Sequence, residues 1–535
     1  MNQAKQPTNT GALTTLVMVF FFWGFIAASN SIFIPFSKTH FALTQFQSQL
    51  IGSAFYGAYF IGSLILFISS NILGYDILNK IGYKKGIIYG LWISVVGALL
   101  IIPSANANSF PAILISFFVV ALGFSLQQTA AQPFAISLGD PSTGSHRLNL
   151  GGGVNSFGTT LGPIIISFFL FGSVGGSQKV VTVTNINMLY LIVAGVFAAV
   201  ALFFSFSKLP EGKNLEKFER ANKAAGALLT MTGIIVALII IGQLTDVPKL
   251  PLLLVLVVAV IAILFYSNHV SIKENEGWGA MKYQQLIYGM LGIFVYVGVE
   301  VTIDNNFGAL LKTPGYFTEA GLDESQISKY VSLYWGSLMI GRWTGAIGVF
   351  NLSASSRKIA MIVVPFIAFA IVLLANWING NDVSDLFAYV ICIIVAIAAF
   401  FYGQEKPVKT LLTVSVLAAL FMLVGVFTKG LVSVYAFMAG GLFCSVMWPC
   451  IFSLSVGGLG KYTSQGAAFL IMMILGGAVV PPLQGALGDN AAIGMHNSYL
   501  LAAAGFAFLA WLALKLQSVL KAQGLDFDKQ IEGGH

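Results

Sequence analysis

Charge is scarce in this chain. Asp, Glu, Lys and Arg make up 9% of its 535 residues, where a soluble domain carries about 25%. Apolar residues make up 57%, and the mean hydropathy is +0.86. A soluble core cannot enclose that much apolar surface, so the bilayer must be the solvent. Cysteine is also rare. Cys392, Cys444 and Cys450 lie in or at the edge of apolar runs, which reads as packing, with no disulfide or metal role. The sequence holds no Walker-type phosphate loop, no metal-ligand cluster and no nucleophile–base constellation, and its five histidines are scattered. These absences count against a membrane-embedded enzyme, and no cofactor is expected. Lysine is missing from the interior of the core helices, and Arg342 falls near a helix end. A carrier of phosphate, nitrate or a dicarboxylate would need a buried cation, so the expected solute is neutral and hydroxylated.

What the chain has is long apolar runs. Sixteen of them, from 11–37 to 496–517, approach the ~20 residues that a spanning helix requires. The fold class is therefore an all-α polytopic membrane protein. Met1 to Thr10 is short and polar and leads straight into the first run, which reads as a signal anchor. With both termini cytoplasmic, Lys38, Lys179, Lys249, Lys312, Lys329 and Lys429 fall outside, and the other 21 of 27 Lys and Arg fall inside. The positive-inside rule favours that orientation. The net charge of +7 then reflects topology, and no nucleic-acid partner is expected. The expected partners are the lipid bilayer and a small solute, with a monomer as the working unit.

Two stretches occur twice. SAFYGAYFIG at 53–62 matches SLYWGSLMIG at 332–341, and QPFAISLG at 132–139 matches WPCIFSLS at 448–455. Two matches in the same order indicate duplication. Parallel repeats of this kind place a solute site between the halves, near the middle of the membrane. The first match is offset by 332 − 53 = 279 residues and the second by 449 − 133 = 316. The difference of 37 is about two short helices with a turn. The second half should therefore carry an inserted helical pair, and another pair (226–243 and 249–267) sits in the linker. Which of 357–376 and 408–427 is the core third helix of the second half stays open, since both run the same way. The expected organisation is an N-terminal six-helix bundle (1–207), a linker with its pair (208–283), a C-terminal bundle with its insertion (284–518) and a tail (519–535).

Polar residues within the runs mark the candidate site. Glu300 lies well inside 284–308, and a carboxylate there normally faces a cavity or a partner. Tyr296, Glu300 and Asp304 are spaced by four and share one helix face, expected to line the central cavity. The alternative is a Glu paired with a neighbouring helix for packing specificity. Asn30, Gln127, Gln128, Gln132, Asn155 and Gln484 supply amides, which both donate and accept as sugar hydroxyls require; interhelical hydrogen bonding is the competing reading. Trp23, Tyr56, Trp335 and Trp448 sit inside apolar helices, where an aromatic face can cover the C–H face of a sugar ring. Trp448 and Trp335 belong to the repeated segments.

The chain resembles the fucose permease and glucose/galactose permease group of the major facilitator superfamily. The resemblance lies in SNSIFIPF (29–36), SAFYGAYFIG (53–62), QTAAQPF (128–134), RLNLGGGVNSFG (147–158), YVGVEVTI (296–303), IGRWTG (340–345) and WPCIFSLS (448–455). It covers most of the twelve core helices. The superfamily loop motif is degenerate, at Asn79, Lys80, Gly82 and Lys84. The resemblance implies two six-helix bundles, here with two extra helical pairs, and hexose or deoxyhexose uptake driven by a cation gradient. Two departures stand out. Ser31 and Gln128 occupy positions where the proton-coupled fucose permeases have an Asp and a Glu, and neither replacement carries a proton at physiological pH. Gly152 also stands where those permeases have an amide. Glu300 resembles the Glu of the glucose/galactose branch. On the reading adopted here Gln128, Asn155, Asn30 and Gln484 would hydrogen-bond the sugar, Trp448 with Trp335 or Trp23 would cover its ring, and Glu300 would carry the coupling ion or bind a hydroxyl. That ion is H⁺ or Na⁺, or there is none. A carrier of a polyol, nucleoside or drug and a non-transporting nutrient sensor remain as rival readings.

Overall fold

The computed structural model describes residues 7–27, 37, 40–43, 45–171, 182–212, 218–245, 247–322, 324–350, 352–403 and 406–527. They form helices joined by short turns, with no strand among the described residues. The first half contains α1 (Thr10–Ala27), α2 (Gln45–Leu73), α3 (Tyr83–Asn106), α4 (Phe110–Ser137), α5 (Gly144–Phe171) and α6 (Val183–Phe206). Next come α7 (Asn222–Leu244) and α8 (Lys249–Lys273). The second half contains α9 (Gln284–Asn305), α10 (Glu324–Ala346), α11 (Ala354–Ile378), α12 (Val390–Gly403) and α13 (Pro407–Phe427). It closes with α14 (Gly430–Cys444, continued by Met447–Val456), α15 (Thr463–Met472, continued by Gly476–Gly488) and α16 (Leu500–Ala522). Among the described residues thirteen helical segments are long and apolar enough to cross a membrane. The helices α1, α5 and α10 pack among them, where sixteen spans were anticipated from the sequence.

Packing repeats between the halves. In the first, α1 lies on α5, α2 on α4, and α3 on α4 and α6. In the second, α9 lies on α15, α10 on α14, and α13 on α14 and α16. This identifies α13, residues 407–427, as the counterpart of α3. The alternative, 357–376, falls in α11, which with α12 forms the inserted pair. Both candidates are apolar and run in the same direction, so periodicity alone could not separate them; their neighbours do. The two extra pairs also have a shared logic. The halves meet along two seams, α5 against α10 and α2 against α15. The pair α11–α12 flanks the first seam, with α11 touching both α10 and α5. The pair α7–α8 flanks the second, touching α2, α9 and α15. Both pairs turn apolar residues outward, among them Ile239, Val258, Ile362 and Trp377, as lipid-facing helices do.

Glycine sets how closely the central helices approach. A Cβ on Gly24 of α1 would lie 1.9 Å from the Asn155 carbonyl oxygen of α5, and one on Gly158 would lie 2.3 Å from the Phe21 carbonyl oxygen. The two backbones are thus in contact, as small residues allow in membrane bundles. The repeated segments use one device twice. Gly62 of α2 abuts Ser125 of α4, and Gly341 of α10 abuts Ser445 of α14.

One end of the molecule carries most of the basic loops, and there the seams are bonded shut. The Trp343 indole N–H donates to the Gly153 carbonyl (3.1 Å), and His146 Nδ1 donates to the Gly345 carbonyl (3.0 Å). Across the other seam, Ser464 donates to Asp76 (3.0 Å) and Asn79 Nδ2 to the Lys461 carbonyl (3.2 Å). The linker straps this seam. Asn71 of α2 accepts from the Ala221 N–H (2.7 Å) and donates to Asn222 (2.8 Å), while Glu219 pairs with Lys461 (2.7 Å) and accepts from the Tyr462 hydroxyl. Lys282 lies 4.0 Å from the same carboxylate.

This packing has two testable consequences. Gly24→Val should lower the melting temperature sharply, since overpacking costs about 1–3 kcal/mol even where side chains can yield and here the obstacle is backbone. Gly233→Ala in α7, where no atom lies within 4 Å of the new methyl, should leave it unchanged or raised. The second consequence concerns the strap. The bonds from Lys461 and Tyr462 hold the Glu219 carboxyl down at about 2. A depressed carboxylate keeps its contribution above the ordinary Glu range and loses it only as pH falls through that low value. The strap should therefore be indifferent to pH between about 5 and 8. Glu219→Gln should loosen the basic face equally at every pH in that range, read as a longer spin-label distance between Lys85→Cys and Lys521→Cys.

Candidate functional site

The site is built on α9, which is buried along almost its whole length. A helix surrounded by protein can carry a carboxylate without exposing it to lipid. Glu300 lies at its middle and is 9% exposed. The Tyr296 hydroxyl, one turn away, donates to Glu300 Oε1 (2.8 Å), and the Tyr334 hydroxyl of α10 donates to the Glu300 main-chain carbonyl (2.7 Å). Arg342 Nη2 lies 3.3 Å from Glu300 Oε1. The guanidinium reaches further: Nη1 donates to Ser156 Oγ of α5 (2.9 Å), and Nε approaches the Ser445 carbonyl (3.4 Å).

This corrects the expectation that the core lacks a cation. Arg342 begins near a helix end, but its side chain extends toward the bundle centre and neutralises Glu300. The carboxylate is thus paired with a neighbouring helix, the second of the two alternatives posed for it. The helical register of α10 carries a signal for this: Tyr334, Leu338 and Arg342 follow at intervals of four and share one face.

Asp304 lies one turn beyond Glu300. The Trp335 ring lies within electrostatic reach of its carboxylate, and Oδ1 is buried without a partner. Tyr56 of the first half lies within electrostatic reach of both carboxylates, its ring beside Gly477 of α15. Tyr56 and Trp335 occupy matching positions in the repeated segments, so the duplication brings one aromatic from each half to the same acidic face. The second repeat does likewise. Gln132 and Trp448 match, and each presents a buried polar atom with no partner, Oε1 in one and Nε1 in the other. Trp448 is partly exposed, 6.2 Å from the Tyr296 ring and stacked at 5.9 Å on Phe452.

The remaining candidates divide. Gln128 is partly exposed and donates to the Tyr59 hydroxyl (3.0 Å). Asn155 is partly exposed, with Nδ2 donating to the Phe20 carbonyl (3.0 Å). Gln484 is fully buried; its Oε1 accepts from Asn306 Nδ2 (2.8 Å) and ties α15 to α9. Trp23 and Gln127 bond each other inside the first bundle (2.7 Å), and Gln127 also donates to Ser94 (3.1 Å). With Trp23 4% exposed, that pair belongs to the core and not to the cleft wall. Asn30 and Ser31 lie outside the described residues. Arg342, Ser156, Tyr334 and Asn306 join the site without having been anticipated. Among the described residues no group of His, Cys, Asp and Glu is arranged to hold a metal ion.

Comparisons with known proteins agree with this architecture. Residues 13–404 match the family described as Major Facilitator Superfamily. A glucose/galactose transporter of Brucella abortus biovar 1 (strain 9-941) is 30% identical over 503 residues, covering 94% of this chain and 93% of that protein. An L-fucose-proton symporter of Escherichia coli (strain K12) is 25% identical over 483 residues, covering 89% and 86%. Among solved structures, the Major Facilitator Superfamily transporter FucP in the outward conformation superposes with a TM-score of 0.63 at 23% identity, covering 94% of this chain and 98% of that one.

Proposed function

This chain belongs to the Major Facilitator Superfamily, and from that premise we propose that it carries a neutral monosaccharide, a hexose or deoxyhexose, by alternating access and in symport with a cation. It is a transporter and not an enzyme. The membrane is a bacterial inner membrane with both termini cytoplasmic, so the bonded basic face is the inner one. The cleft lies within one chain, which supports a monomer as the working unit.

The observation that carries the reading is the balance of the cleft. Among the described residues its one deep cation, Arg342, is paired with Glu300, so they offer an anionic solute no net positive charge. Around that pair the two halves bring together hydroxyl-recognising groups and aromatic rings, which would line the solute path. The Trp448 indole N–H can donate, Gln132 Oε1 and Asp304 Oδ1 can accept, and Gln128 and Asn155 can do both. The Trp448, Trp335 and Tyr56 rings can cover the apolar face of a pyranose. Relatives named for glucose, galactose and fucose support the same class.

Coupling runs through Glu300, with Tyr296 and Asp304 on its helix face. Ser31 and Gln128 leave no acid at two positions where the fucose permeases have one. The cation is H⁺ accepted by the carboxyl, or Na⁺ held among its oxygens. The replacement of those two acids is also what favours the second reading, a uniporter.

In proteoliposomes, hexoses should outcompete nucleosides and dicarboxylates; stronger competition by a dicarboxylate would overturn the substrate class. Trp448→Ala should weaken sugar binding by about 1–3 kcal/mol, roughly five- to 150-fold, in a protein that still melts cooperatively. The parent should concentrate sugar under a pH or Na⁺ gradient and Glu300→Gln should not. Equal accumulation by both would remove Glu300 from coupling. A parent that only equilibrates sugar under either gradient would establish the uniporter.

A further inference from the structure

Arg342 bonds two things that a symporter has to connect. One guanidinium nitrogen faces Glu300 of α9, and another donates to Ser156 in the opposite half. Its neighbour Trp343 closes the same seam through Gly153, and two residues further on, the Gly345 carbonyl accepts from His146. We propose that Arg342 is the positioning residue that transmits the state of Glu300 to the closure of the basic face. This rests on the reading that Glu300 binds the coupling ion.

The argument is electrostatic. A guanidinium stays protonated under all conditions in a protein, so Arg342 always needs a counter-charge when buried. An ionised, empty Glu300 supplies it and holds the side chain where Nη1 meets Ser156. A proton on Glu300 removes the counter-charge, and a Na⁺ bound there competes for it. Either ion leaves Arg342 as an unpaired buried cation, whose cost is relieved by movement toward water at the basic end. The bond to Ser156 is then lost and the α5–α10 seam is weakened at its deepest point. The ion thereby acquires different affinities for the closed and open states, which is the requirement for driving the cycle.

The other groups around Glu300 cannot take this role. Tyr296 and Asp304 lie on its own helix, Tyr334 comes from α10, Cys444 from α14 and Tyr56 from α2. All are neutral or acidic, and α5 contributes the uncharged Ser156. Arg342 alone among these brings a fixed positive charge and a bond across the seam.

The test uses the full chain in lipid nanodiscs, with spin labels at Lys85→Cys and Lys521→Cys and the three buried native cysteines left in place. Distances are recorded in alkaline buffer without Na⁺, in acidic buffer without Na⁺, and in alkaline buffer with Na⁺. The parent should stay short in the first condition. It should gain a long population in whichever of the others supplies the coupling ion. Glu300→Gln and Arg342→Gln should each favour the long population in all three, shifting the ratio of closed to open by about tenfold, and the double variant should shift it no further. Arg342→Lys keeps the charge but not the planar fork, so it should respond to the ion less than the parent, and it decides the matter alone if Arg342→Gln does not fold. If both Arg342 variants respond to the ion as the parent does while Glu300→Gln does not respond, the transmission role is wrong and Glu300 coupling stands. If the double variant opens further than either single one, the two residues act separately and the proposal is again wrong. If the parent ignores both ions and Glu300→Gln accumulates sugar normally, the coupling reading itself falls, and this proposal with it.

Discussion

A carboxylate in the middle of a membrane protein cannot remain alone, and much of this structure follows from how Glu300 is accompanied. Its own helix supplies the Tyr296 hydroxyl. The neighbouring α10 supplies Arg342 from two turns further along, and Arg342 in turn requires the first half, through Ser156, to complete its bonds. For the three groups to meet, α9 must be central, α10 must lie against α5, and α5 must present a small polar residue at that depth. Ser156 meets this last condition, and the glycines at 152 and 153 allow α10 to lie that close. A Cβ at Gly152 would lie 3.1 Å from Arg342 Cδ, and one at Gly153 would lie 2.7 Å from the Trp343 ring. Larger residues there would hold α10 away and leave the guanidinium short of its acceptor.

Duplication explains why the cleft looks alike from both sides. Equivalent helices make equivalent contacts, and equivalent residues arrive at the same place from opposite directions. Tyr56 and Trp335 both come within electrostatic reach of the acidic face of α9, and Gln132 and Trp448 each keep a buried polar atom without a partner. Charge breaks the symmetry. Both members of the Glu300–Arg342 pair belong to the second half, and the first half supplies the Ser156 hydroxyl that Arg342 also reaches. A rocking cycle needs such inequality, since an ion that contacted both halves alike in both states would favour neither.

Much of this is legible in the residues. Apolar runs mark the helices, the Lys and Arg asymmetry marks the basic end, and the two repeated segments mark the walls of the cleft. The four-residue spacing of Tyr296, Glu300 and Asp304 is enough to put all three on one face of a helix. Other features cannot be read from the chain, for physical reasons. Arg342 sits near the end of its helix, where long basic side chains usually reach outward to water; only the partner on α9 turns it inward. Trp23 resembles a cleft aromatic in one dimension, but Gln127, about a hundred residues away, claims its indole N–H. The core helix at 407–427 and the inserted helix at 354–378 are equally apolar. What distinguishes them is which helices they touch, and that property exists only in three dimensions.

The positions of the two extra pairs follow from the same mechanics. If the halves rock, the two seams α5–α10 and α2–α15 are where surfaces slide, and sliding surfaces in a bilayer risk exposing polar groups to acyl chains. The residues along the seams are polar: Ser156 and Arg342 in one, Asp76 and Ser464 in the other. Apolar helices lie beside each seam and turn apolar residues outward, as shielding it from lipid through such a motion would require. The pair α7–α8 is reached through the segment that also forms the Glu219 strap, so shielding and fastening of one seam come from a single stretch of chain. The pair α11–α12 carries no comparable strap among the described residues. There the fastening falls to Arg342 and Trp343 within the seam itself, which places the lock on that side next to the carboxylate that would release it.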